Sequence, residues 1–187
     1  MNKTTLALVI SGAALFSASS FAQDNRSGGV INITGAISDT TCTINGGKSA
    51  DFTVPLAPIS IAQAGSTVGL IKENAKTIKL SFSNCAPATG DGNLKMSFSS
   101  ESTISNDGKY LINTSADENG PDAKHVGFAL TKDNELVPLD KALDTGVKGN
   151  TETPEDLILG VNYYKPDAVP AVPGPLASTV TYTVSYN

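Results

Sequence analysis

Chemistry has few places to reside in this sequence. His125 is the only imidazole among 187 residues, so any Ser–His–Asp relay must run through it. Serines and aspartates are plentiful, but no Gly-x-Ser-x-Gly elbow is present. His125 directly follows the polar turn Asp122–Lys124, which makes it a solvated histidine at the start of a strand. Cys42 and Cys85 are the only thiols, and they form no Cys-x-x-Cys motif that would point to redox work. One His and two Cys cannot complete a four-ligand zinc site from soft ligands alone. The acidic stretch Asp117–Asp122 lacks the ligand spacing of a calcium loop, and Gly90-Asp91-Gly92 lacks the strand-to-helix setting of a phosphate loop. Both read as turns. A net charge of −5 without Lys/Arg clusters suits no nucleic-acid backbone, and 11 Phe and Tyr without Trp make no stacking platform. No catalytic residue, metal or cofactor is expected.

The elements that surround these residues are more informative. Residues 1–22 combine Lys3, an apolar stretch from Leu6 to Phe16, and small residues Ser20 and Ala22 at the −3 and −1 positions of a cleavage site. The stretch is too short to span a bilayer, and polar residues follow it at once. It reads as a secretory signal whose removal leaves 165 residues with a formal charge of −6. In an oxidising compartment the two cysteines have one possible pairing, Cys42–Cys85. A loop of that size is worth about 4 kcal/mol in the chain-entropy account.

The rest of the chain alternates with a period of two. Ile78, Leu80 and Phe82 interleave with Thr77, Lys79, Ser81 and Ser83, and Leu94, Met96 and Phe98 interleave with Lys95, Ser97 and Ser99. Val126, Phe128 and Leu130 repeat the pattern, as do Leu157, Leu159, Val161 and Tyr163. Such segments place one face on a core and one in water, as antiparallel strands do. Polar, turn-rich stretches at 86–93, 113–124 and 144–156 separate them. Four prolines in Lys165–Pro175 demand an extended connection, and only Ala57–Leu70 leaves room for a short helix. The expected class is all-β, a two-sheet sandwich.

Both ends of the mature chain stand out. Leu176, Val180, Tyr182, Val184 and Tyr186 share one parity, with Ser178 its only polar member. This is the cleanest strand pattern present, yet no later strand follows to pair with its free side. At the front, Gly29, Ile31, Ile33 and Gly35 lie on one side of an alternating segment, with Asn32 and Thr34 opposite. Residues 30–37 are either the first strand of a closed sandwich or a detachable strand that pairs with another molecule's sheet edge.

These features together resemble the chaperone–usher pilins, especially subunits of type 1 and F17-like fimbriae. GGVINITGAISDTTCTI at 28–44 looks like their N-terminal extension and first Cys-bearing strand, and TIKLSFSNC at 77–85 like the second. VGFALTKDNELVPL at 126–139 and LILGVNYY at 157–164 resemble the later strands. Gly174 stands fourteenth from the end, alternating apolar residues follow it, and Tyr186 is penultimate. The resemblance implies an immunoglobulin-like β-sandwich lacking its last strand and completed by a donor strand from a neighbouring subunit. The expected organisation is a signal peptide at 1–22, a donor-strand extension at 23–36 and a pilin domain at 37–187. Gly29, Ile31, Ile33 and Gly35 become donor-strand residues, and Gly174, Leu176, Val180, Tyr182, Val184 and Tyr186 line or border the acceptor groove. Gly29 is then the residue for a point where the groove is too tight for a Cβ.

The implied partners are neighbouring pilin subunits in a homopolymer, a periplasmic chaperone, an outer-membrane usher, and tip adhesin or adaptor subunits. The implied destination is the cell-surface fimbrium of a Gram-negative bacterium, reached through the periplasm. In that setting the sequons at Asn32 and Asn113 are chance matches. The mature chain is too short for a two-domain tip adhesin, so the expected role is a major shaft subunit, with a minor linker subunit as the alternative. A self-contained secreted sandwich that binds a ligand through its loops is the alternative from a different class.

Overall fold

The computed structural model describes residues 41–48, 50–86, 92–100, 102–115 and 123–186, and the backbone of 29–37. The signal segment, residues 23–28 of the extension and the acidic stretch 117–122 lie outside the described residues.

Alternating segments became strands. In chain order these are β1 (Gly29–Ile37), β2 (Thr41–Ile44), β3 (Phe52–Leu56), β4 (Gly69–Ala86), β5 (Leu94–Ser99), β6 (Gly127–Lys132), β7 (Glu135–Leu136), β8 (Leu143–Asp144), β9 (Glu155–Lys165) and β10 (Leu176–Tyr186). They form two five-stranded sheets, ordered β3-β1-β10-β5-β8 and β2-β4-β9-β6-β7. Leu80, Phe82, Leu94, Met96, Leu130, Leu159, Val161 and Val180 meet between the sheets, each almost wholly buried. This is the all-β sandwich expected from the sequence.

The ambiguous stretch contains one helical turn, α1 (Ile61–Ala64). Ser60 accepts from the Gln63 amide while the Gln63 side chain accepts from the Ser60 amide, a capping box that holds so short a helix. Residues 166–175 run without helix, tied to the body by the bridge between Lys124 and Val172. Cys42 and Cys85 are bonded, joining β2 to β4 within one sheet. Gly149, at φ +64°, lies against this link; a Cβ there would sit 2.9 Å from the Cys85 sulfur.

Two expectations need correction. β6 does not alternate: Gly127 through Thr131 are all buried. Its outer face is small, and the Tyr110 ring roofs one end of it, stacked on Tyr164 at 5.2 Å. Ser83, placed on a wet face by parity, is buried as well, beside the positive φ of Asn84. That left-handed residue breaks the period of two at the end of β4.

Candidate functional site, a strand groove along β10

β10 is positioned by its own alternation. Ser178, Val180, Tyr182 and Val184 face the core and are at most 1% exposed, whereas Thr179, Thr181 and Thr183 are half-buried. One edge of the strand is fully engaged by the body. β5 pairs with residues 181–186, and the segment 103–114 takes over further back. There Thr103 Oγ1 donates to Thr179 O at 2.5 Å, Thr114 N to Ala177 O at 2.8 Å, and Ala177 N to Asn113 Oδ1 at 2.9 Å.

β1 occupies the other edge. It lies between β10 and β3, pairing in parallel with residues 176–184 and antiparallel with 52–56. Every other strand pairing among the described residues is antiparallel. Without β1, a groove would open between β10 and β3, floored by Val54 and Leu56 on one side and by Val180 and Val184 on the other. Its backbone edges would be left without ladder partners.

The sequence-derived donor and acceptor sets thus meet, and they meet within a single chain. The register sets Gly29 across from Leu176, Ile31 from Ser178, Ile33 from Val180 and Gly35 from Tyr182. In this intrachain register Gly35 lies across from Tyr182 and Gly29 across from half-buried Leu176. Gly174 precedes the strand at φ +158°, and Tyr186 is at its far end, donating its hydroxyl to Lys148 O. Tyr182 spans the groove floor and donates to Ala50 O at 2.8 Å. Burial, with a smaller push from the Asp51 charge, drives its phenol up to about 12.

An apolar cleft of about 270 Å³ lies at the start of β10, lined by Ile59, Ala64, Val126, Val172, Pro173 and Leu176 among others. A polar clamp that the sequence does not announce holds its 165–175 wall. Lys165 is fully buried, and its Nζ donates to His125 O at 3.0 Å and to Val169 O, beside Asp167 Oδ1 at 3.4 Å. His125 sits at φ +62° with Nδ1 2.8 Å from Asp167 Oδ2. That contact, more than any other, holds the Asp167 carboxyl below its usual range. His125 is thus a half-buried structural tie, which corrects its reading as a solvated residue. Among the described residues the side chain that the imidazole meets is the Asp167 carboxylate.

Comparison with known proteins agrees with this architecture. A model of the fimbrial protein family matches residues 31–187. The major fimbrial subunit SMF-1 of Stenotrophomonas maltophilia (strain K279a) is 30% identical over 176 residues, covering 87% of this chain and 95% of that protein. Among solved structures, an antigen and type I fimbria protein of Burkholderia pseudomallei superposes with a TM-score of 0.52 at 19% identity, covering 85% of this chain and 98% of that one, a likeness of fold. The chain therefore belongs to the fimbrial protein family, structural subunits that assemble into cell-surface fimbriae and are not enzymes.

Proposed function

We propose that this chain is the major shaft subunit of a chaperone–usher fimbria, polymerising by donor-strand exchange. The observation that carries the reading is the occupant of the groove. The strand closing the β10 edge comes from the opposite end of the chain and is the one parallel element in the described sheets. A segment placed there in one chain can be replaced by the same segment of another. Each buried isoleucine of the incoming strand contributes about 1.5–3 kcal/mol, and the main-chain ladder on both edges adds to this. Donor and acceptor surfaces differ, so the contact is heterologous and propagates as a fibre.

In this reading Gly29, Ile31, Ile33 and Gly35 are the donor residues. A periplasmic chaperone covers the groove before assembly, an outer-membrane usher is the place of exchange, and tip subunits cap the growing fibre. A minor linker position would use the same two surfaces; the match to a major fimbrial subunit across most of both chains supports the shaft. One observation favours a self-contained secreted sandwich instead, namely that β1 closes its own chain's groove.

Ile33→Asp separates the two. In the filament reading a carboxylate would have to be buried in the groove without a partner, so the subunit is exported but forms no fibres by electron microscopy. Normal fibres from this variant would remove Ile33 from the donor face. Absence of fibres from the unsubstituted chain, with chaperone and usher present, would leave the self-contained reading.

A further inference from the structure

One polar atom in the groove has no partner. Ser178 is 1% exposed, and its hydroxyl is the single buried side-chain N or O without a hydrogen bond among the described residues. It belongs to the core-facing parity of β10, between Leu176 and Val180, and the chain's own strand sets Ile31 across from it. An isoleucine side chain offers a hydroxyl neither donor nor acceptor. The orphaned group therefore penalises the self-completed state.

We propose that Ser178 selects the occupant of the groove: it disfavours the chain's own strand and favours the strand of a second copy seated with Gly35 across from Ser178. The proposal rests on the donor-strand reading above. A strand from another copy is free of the short 38–40 connection and can run either way along β10. Antiparallel pairing is the more stable per residue, and the nine positions on β10 outnumber the five on β3 that would become parallel. Only two in-phase glycines, Gly29 and Gly35, can stand across from Ser178. With Gly29 there, Ile33 would fall opposite Gly174, beyond the end of β10. With Gly35 there, Ile37, Ile33, Ile31 and Gly29 fall opposite Leu176, Val180, Tyr182 and Val184, and the whole strand is paired. A glycine leaves space beside the hydroxyl for a bridging water.

The test uses the mature monomer and a fluorescent peptide of residues 23–37, with capture followed by native electrophoresis. Ser178→Ala removes the penalty on the self-completed form. Its denaturation midpoint rises, and it captures the peptide about tenfold more slowly than the unsubstituted chain, equivalent to about 1.4 kcal/mol. A Gly35→Val peptide is captured poorly by the unsubstituted monomer. Equal capture rates and midpoints for Ser178→Ala and the unsubstituted chain, or capture of the Gly35→Val peptide as fast as the native one, would overturn the inference. An unsubstituted monomer that captures no peptide, with a raised midpoint for Ser178→Ala, would instead overturn the exchange reading on which it rests.

Discussion

Replacing Tyr182 by Phe removes one oxygen from the floor of the groove, and the consequence depends on pH in a calculable way. Near neutrality the phenol donates to Ala50 O at 2.8 Å from an almost fully buried position, tying β10 to the chain ahead of β3. Losing that bond costs about 1 kcal/mol, with Ala50 O left under-satisfied. Ionisation works in the opposite direction. The folded state holds the phenol at about 12, against 10.0 for an unperturbed tyrosine, so the unfolded chain loses its proton first. The phenol's contribution is therefore complete below the unfolded value and disappears as pH rises through the folded one. Between those values ionisation favours unfolding by about 1.4 kcal/mol at pH ~11 and about 2.3 kcal/mol at pH ~12. Phenylalanine cannot ionise, so the variant begins less stable and becomes the more stable protein near pH ~11. Urea unfolding of both proteins, followed by circular dichroism across this range, measures the difference, in which the other titrating groups cancel. A gap that keeps its size and sign from neutral to strongly alkaline pH would refute the buried hydroxyl–carbonyl tie.

Two further predictions concern the body that holds the groove. Cys42→Ser with Cys85→Ser opens a link spanning 43 residues and lowers unfolding stability by about 4 kcal/mol in the chain-entropy account; chemical denaturation that shows less than about 1 kcal/mol would discount it. Asp144 is held down to about 2, chiefly by Lys95 at 2.5 Å and further by the Gly146 amide and Asn93. A depressed carboxylate stabilises above its unfolded pKa and ceases to do so as pH falls through the folded value. Stability should therefore decline between pH ~4 and pH ~2, and Asp144→Asn should flatten that decline. An unchanged acid profile in the variant would contradict the Lys95 tie.

Much of the sandwich could be read from the sequence because parity encodes burial. Val180, Tyr182 and Val184 are buried as their alternation demands, and so are Leu94, Met96, Leu157, Leu159 and Val161. Parity says nothing of strand direction or of which molecule supplies a strand. That is why the segment 29–37 supported two readings, and why its parallel course on its own β10 is information only the fold provides. The burial of Thr131 escaped detection because its cover comes from across the sheet, where its hydroxyl accepts from Asn162 Nδ2 at 3.1 Å, and that of Gly127 because Tyr110 lies against it from the 103–115 segment, which carries no periodic signal. Nothing in the sequence marks Lys165 as buried. Its burial depends on the His125 and Val169 carbonyls, brought close by a connection whose path was open in the sequence. Ser178 was legible as the one polar residue of its parity, but its lack of a hydrogen-bond partner was not.

The central claim is that the β10 groove needs a strand and accepts one from another copy. Deleting Gln23–Thr34 tests it most directly, because six of the nine residues of β1 are lost while β3 and β10 remain. The truncated subunit, purified with and without a synthetic peptide of residues 23–37, should fold cooperatively only when a strand is supplied. It should bind the peptide in a one-to-one ratio and stop fibre growth when mixed with intact subunits. A truncated chain that folds with full stability alone, binds no peptide and leaves fibre length unchanged would contradict the account.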